Sequence, residues 1–254
     1  MPEGLKFGKQ PALHKAKDFH FADVIAGIDL PPAPNRFGHG TLYGDWFMLG
    51  NDLYGDCVFA GFAHQAMVTT KLDNPAHPAK FTTTDVLKDY SAVTGFDPAK
   101  PDTDQGTIVS EGLAYWRNEG IHKSSGRHKI GAYISIDPKN WDELMQAAYI
   151  FSGVGIGWNV PETIWDQWDH GTPFDVVDEG AAIIGGHYTL VTGRSGRSTG
   201  GMITWARRKS FTRDFYETYN DEAWAIVFEN DLRAGKNERG LDLTTLNEML
   251  QALK

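Results

Sequence analysis

A chain of 254 residues, 41% hydrophobic and 22% charged, carries enough apolar material to bury a full core in one large or two small domains. A net charge of −9 argues against nucleic acid and anionic membranes as partners, and a single cysteine excludes an internal disulfide, which fits a reducing compartment. The first nine residues lack the apolar stretch of a signal peptide, and no segment approaches the roughly 18 apolar residues of a membrane span, so a non-exported, soluble chain is expected.

Residues 1–50 read as an extended, irregular N-terminal arm, stiffened by Pro31-Pro32-Ala33-Pro34 and turned by Gly38-His39-Gly40. Asn51 to Asp56 is rich in turn formers, and Asp56 is placed to cap a following helix. From Cys57 to Val68 only His64 and Gln65 are clearly polar, which predicts a core helix, with Gly61 permitting close packing against a neighbour. Thr83-Thr84-Asp85 opens a helix that Gly95 ends after Thr94, and Thr107 to Asn118 is a further helix stopped by Gly120. A helical region over 51–127 results.

The second half is strand-rich. Lys129 to Ile136, Gly153 to Val160, His187 to Gly193, Gly201 to Ala206 and Glu222 to Phe228 are β segments separated by turn residues, with one helix from Trp141 to Phe151. This β-rich region spans 128–240. The tail, 241–254, reads as an amphipathic helix with Leu241, Leu243, Leu246, Met249, Leu250 and Leu253 at its apolar positions. The glycine-alternating run Gly153-Val154-Gly155-Ile156-Gly157 is read as a strand with close backbone neighbours rather than a nucleotide loop.

A lone thiol at a helix start is a candidate nucleophile, because the helix N-terminus favours thiolate; the plain alternative is a small buried hydrophobe. Asn51, six residues earlier, can donate with the Cys57 backbone N–H to an oxyanion at the sulfur's target. His64 lies two turns along the same helix and is excluded as the base. His170 between Asp166 and Asp169 is read as a solvated loop histidine rather than a metal ligand, and no cofactor or metal pattern is found. Trp158, Trp165, Trp168 and Phe174 suit either a cleft wall or a core.

These blocks resemble the papain-like cysteine peptidases. Asn51-x5-Cys57 is similar to their Gln-x5-Cys, Cys57-Val58-Phe59-Ala60 to their Cys-Trp-Ala-Phe, and Gly185-Gly186-His187-Tyr188-Thr189-Leu190-Val191 to their Gly-Gly-His strand. Ile203-Thr204-Trp205-Ala206 falls where that family has Asn-Ser-Trp-Gly, and Leu30-Pro31-Pro32 resembles the start of a mature chain. Cys57 and His187 lie about 130 residues apart, inside the family's roughly 130–150. The likeness runs over about residues 30–230 and extends to papain-like proteins of bacteria and phages.

The resemblance implies an α+β, two-lobed papain-like fold, a helical lobe followed by a β-barrel-like lobe, with Cys57 and His187 facing across the cleft. It implies a Cys57–His187 pair acting in peptide hydrolysis or acyl transfer, with Asn51 at the oxyanion. The family's third catalytic residue falls on Ile203, which cannot hold an imidazole, so Thr204 takes that task only if the register slips by one. A papain-type chain has about half this length before its cysteine. The surplus is read as a surface-packed arm, with an inhibitory strap across a groove as the alternative. Expected partners are a peptide or protein substrate and protein assembly partners, without nucleic acid or membrane, in a cytoplasmic or virion-associated setting. The competing expectation is a papain-fold structural or binding protein of weak or no activity, such as a phage particle component. A cell-wall amidase of related fold would bring its histidine much closer to the cysteine.

Overall fold

The computed structural model describes residues 5–13, 19–26, 30, 32–236, 242–244 and 246–248. In the first half they form α1 (Phe21–Val24), β1 (Phe37–Gly38), α2 (Cys57–Asp73), α3 (Thr83–Thr94), α4 (Val109–Asn118) and the hairpin β2 (Ile121–His122) and β3 (Arg127–His128). The second half runs β4 (Ile130–Ile136), α5 (Trp141–Ile150), β5 (Val154–Pro161), α6 (Ile164–Asp169), β6 (Ile183–Arg194), β7 (Thr199–Thr204), β8 (Arg207–Thr212), α7 (Arg213–Tyr219), β9 (Asn220–Phe228) and α8 (Glu229–Ala234). The tail helix expected over 241–253 falls largely outside the described residues. None of the described helices is long and apolar enough to cross a membrane.

Local chemistry sets the helix ends. Thr82 and Asp85 form a reciprocal capping box at the start of α3, and Gly95 closes it in the left-handed region at φ +76°. α2 is apolar on nearly every side, and every residue from Cys57 to Thr69 is buried. Gly61 is required there by packing: a Cβ would stand 2.6 Å from the Tyr188 ring of β6. The central element of the fold is therefore a helix pressed against a strand, which sets Cys57 beside the His187 region.

The main sheet is antiparallel in the order β4-β9-β5-β6-β7-β8, with β1 added alongside β6. Alternation along β9 divides the core. Ala223, Ala225 and Val227 face the cluster built with α5 and α7, whereas Trp224, Ile226 and Phe228 face the cluster built with α2, α3 and α4. Among the described residues β4 and β8 end the sheet without pairing to each other. The sheet is open, and the barrel-like expectation is corrected accordingly.

Two regions differ from the sequence expectation. The arm includes the short α1 and β1 instead of being irregular throughout. Residues 207–219, left unassigned by pattern, form β8 and α7; β8 is an edge strand that exposes Arg207, Arg208 and Ser210 while burying Lys209 and Phe211. Charge on an edge strand masks its apolar period and blunts pairing with other chains.

Candidate active site

His187 lies on β6 opposite Trp158 of β5 and is 1% exposed. Its ring is fixed on three sides. Trp205 stacks on it at 4.1 Å and 12°, Trp158 meets it edge-on at 5.5 Å, and Nε2 is 3.0 Å from Thr204 Oγ1. Nδ1 is buried with no hydrogen-bond partner among the described residues. Trp205 reaches the imidazole because Trp205 and Ala206 form the two-residue loop between β7 and β8, at φ +44° and +58°. Both positions of such a turn favour Asn or Gly, so the tryptophan is held there against its backbone preference by the ring it covers.

Thr204, not the position of Ile203, meets the imidazole. Ile203 is buried in the apolar cluster shared with α2. Consecutive residues of a strand point to opposite faces, so the residue next to the tryptophan turns toward His187.

Cys57 is the first residue of α2 and 2% exposed. The thiol is not activated in this state, contrary to the expectation of a lowered pKa. Burial pushes it up to about 12, the Asp56 charge adds to the rise, and backbone hydrogen bonds from Tyr188 and Gly8 pull only partly the other way. Burial likewise holds the His187 imidazole down to about 3. Asp56 does not cap α2 as expected; its wholly buried carboxyl makes no cap hydrogen bond, and burial with the nearby Asp104 raises its pKa well above the usual range. Cys57 and His187 line one cavity with Met48, Ala60, Ile203 and Trp205. That cavity leaves about 10 Å3 for a water centre, room for about one water.

Residues 5–10 run beside this site as an extended segment held by backbone hydrogen bonds on two sides. Lys6 N donates to the Asn51 carbonyl at 3.2 Å, and Gly8 N and Lys9 N approach the Gly186 carbonyl at 3.2 and 3.0 Å. On the other side Thr107 N donates to the Gly8 carbonyl at 2.7 Å and Gln10 N to the Thr107 carbonyl at 3.0 Å. Phe7 stacks on Trp165 at 5.6 Å and packs against Trp205 at 6.1 Å. Gly8 sits where only glycine fits, since a Cβ would stand 1.7 Å from the Gly55 carbonyl oxygen, two residues before the thiol. Residues 5–10 of the arm, called the strap below, therefore pack beside the thiol through their backbone.

Asn51 is buried, and its amide donates to the Tyr54 carbonyl at 3.1 Å and the Lys6 carbonyl at 3.4 Å. Trp205 Nε1 donates to the same Lys6 oxygen at 3.1 Å. Two N–H groups beside the thiol therefore converge on one peptide carbonyl of the strap. Sequence reasoning named Asn51 and missed Trp205 as a donor.

It also missed a charged socket. Lys9 Nζ is 2.8 Å from Asp221 Oδ2 and 3.4 Å from Glu222 Oε1, with the lysine side chain 1% exposed. Gly157 of β5 forms one wall, where a Cβ would meet Lys9 Cε at 2.3 Å. Trp224 Nε1 donates to Glu222 Oε2 at 2.8 Å and holds that carboxylate in place.

The remaining candidates separate cleanly. The His64 ring N–H donates to the Trp46 carbonyl at 2.6 Å, and burial lowers its pKa. Trp158 and Phe174 are core, whereas half-buried Trp165 is cleft wall against Phe7. His170 is exposed beside Asp166, and no group of three metal-binding side chains occurs among the described residues.

No protein-family model matches the sequence, and no curated protein matches it. Solved structures do. Xylellain, a cysteine protease from Xylella fastidiosa, superposes with TM-score 0.63 at 14% identity, covering 89% of this chain and 97% of that one. A procathepsin B from Trypanosoma congolense gives 0.58 at 11% identity, covering 89% and 87%. The proform of the ragweed pollen cysteine protease Amb a 11 gives 0.55 at 11%, covering 84% and 74%. With its helix-borne thiol and sheet-borne imidazole lining one cavity, the chain has the fold of the papain-like cysteine proteases.

Proposed function

We propose that this protein is a cysteine hydrolase of papain type, acting on peptide or related acyl substrates through Cys57 and His187, and that the described state is closed. The observation that carries this reading is the order around His187, a residue that lines the same cavity as Cys57: Nε2 is bound to Thr204 Oγ1, and Nδ1 is buried with no hydrogen-bond partner among the described residues. With its proton on Nε2 the ring donates to the threonine hydroxyl, and the Nδ1 lone pair is free to take the thiol proton. The thiolate then adds to the substrate carbonyl carbon. The Cys57 N–H and the Asn51 amide, with Trp205 Nε1 beside them, hold the oxyanion. Collapse expels the amine or alcohol, which takes the proton back from His187, and water or another acceptor cleaves the thioester.

Burial keeps both groups neutral, the thiol at about 12 and the imidazole at about 3. On this reading, displacement of residues 5–10 gives water and substrate access to the thiol.

The test is hydrolysis of a mixed peptide and ester panel by the full-length protein and by Gly8→Val, whose added side chain cannot seat against Gly55. Turnover is expected in Gly8→Val and lost by about 10^4-fold on adding Cys57→Ala. The same doubly neutral pair is what a binding protein that keeps the fold would show. No turnover in a folded Gly8→Val protein decides for that second reading.

A further inference from the structure

We propose that the basic groove between β1 and the β7–β8 hairpin binds a compact ligand bearing several phosphate or sulfate groups. The groove encloses about 890 Å3 between β1, the end of β6, the hairpin and residues 40–46, room for a whole small molecule rather than one ion. Its lining carries five cations, Arg36, Arg194, Arg207, Arg208 and Lys209, and no carboxylate. The chain has 33 acidic residues against 24 basic ones, so this gathering of positive charge runs against its composition. Arg213 and Arg233 each pair with a glutamate, whereas none of the five groove cations forms an ion pair among the described residues. The groove meets the catalytic cavity only at Ala206, and none of residues 5–10 lines it. The site therefore stands apart from the hydrolase reading and does not depend on it.

Three of the cations are braced without being neutralised. Arg194 Nε donates to the Pro34 carbonyl at 2.8 Å, Lys209 Nζ donates to the Gln167 carbonyl at 2.7 Å, and the Arg207 guanidinium lies 5.2 Å from the Trp168 ring centre. Burial holds the Lys209 amine below its ordinary value, and the Arg207 charge pushes in the same direction, a repulsion that the fold leaves unrelieved. Arg36 and Arg208 are exposed, and no hydrogen bond or ion pair among the described residues engages either guanidinium. The Arg208 stem reaches toward Gly40, where an added Cβ would stand 3.4 Å from its Cδ. Thr41, Ser195 and Ser210, also exposed, add hydroxyl donors from three further segments. Donors arriving from several sides suit a tetrahedral oxyanion, which presents acceptors all round, better than a planar carboxylate, which one guanidinium edge satisfies. None of the exposed large apolar side chains lines the groove, so nothing there anchors an acidic peptide by its other residues.

The experiment is calorimetric titration of the full-length protein at low salt with sodium tripolyphosphate, inositol hexasulfate and penta-aspartate. Arg36→Gln with Arg208→Gln removes the two unengaged guanidiniums. Lys88→Gln with Arg117→Gln removes the same charge from α3 and α4, outside the groove, and so controls for the overall field. A cooperative melt is the folding check, and the single exchanges at Arg36 and Arg208 serve if the double variant fails it. At least one of the two polyanions is expected to bind wild type about tenfold or more tighter than penta-aspartate. The groove variant should lose about tenfold or more of that affinity, and the control pair less than about twofold. The tighter of the two polyanions then identifies phosphate or sulfate as the group the site takes. Penta-aspartate binding as tightly, equal losses in the two double variants, or no binding of either polyanion overturns the proposal. Turnover is not read, so failure of the hydrolase reading leaves this result untouched.

Discussion

One strap fills two neighbouring parts of the cleft by opposite physics. At the thiol the contact is uncharged: glycine backbone lies on glycine backbone, and thiol and imidazole are both neutral. One residue on, Lys9 lies between two carboxylates with almost no exposure. The neutral contact excludes water and a competing carbonyl but is built from weak packing. The charged contact is strong only while both signs are present, because one partner left alone in a buried site is penalised. The difference teaches that blocking and anchoring are separate tasks, so substitutions at each part should fail differently.

The largest effect is expected at the anchor. Lys9→Met keeps the stem and removes the charge, leaving Asp221 and Glu222 facing an apolar group. If the strap stays seated, stability falls by about 3–5 kcal/mol. If it lifts, Cys57 becomes reactive instead. Pairing Lys9→Met with Glu222→Leu should recover much of the melting temperature, and failure to recover would show that the charges do not anchor the strap.

At the neutral part the sharper probe is Thr204→Val. It removes the hydroxyl opposite Nε2 at nearly constant volume and should cost about 1–3 kcal/mol in stability. In a strap-free background turnover should drop about tenfold to a hundredfold, since a loosely held imidazole presents Nδ1 less often. Thr204→Ser should rescue the rate. Rescue of stability without rescue of rate would make Thr204 a packing residue only.

How much of this was legible follows residue by residue. Cys57 and His187 were readable because each lies in a block whose local pattern, apolar helix or glycine-led strand, sets its element. The Thr204 contact was harder to read. Strand period is two, so a slip of one residue exchanges the core-facing Ile203 for the imidazole-facing Thr204, and the Trp205–Ala206 turn that fixes the choice lacks the usual Asn-Gly signal. The Lys9 socket was not legible at all. It joins residue 9 to residues 157, 221 and 222, and no local period carries such a pairing. The open sheet was missed for the same reason, since whether β4 meets β8 is a long-range fact.

Per pH unit, the effect expected from the buried imidazole is a modest slope. The unfolded chain protonates a histidine near pH 6.5, whereas His187 in the fold resists until about 3. Between those values the unfolded state binds the extra proton, so its contribution to stability is lost as pH falls. The slope is about 1.4 kcal/mol per pH unit. Asp56, whose pKa is raised, works in the opposite sense over the window above its unfolded value, so the comparison is between wild type and His187→Gln. The difference in urea midpoints should shrink as pH is lowered from 6.5, and a pH-independent difference would show that His187 is hydrated in the fold.

The central claim, a cysteine site closed by its own strap, is tested most directly by the rate of iodoacetamide alkylation at Cys57 against pH. In the wild type the account predicts almost no labelling of the native protein at pH 7. Gly8→Val should label rapidly at that pH, with an apparent thiol pKa below the ordinary value of about 8.5, and His187→Ala should move that pKa back up. Wild type and Gly8→Val labelling at the same rate, or Gly8→Val labelling independently of His187, would contradict it.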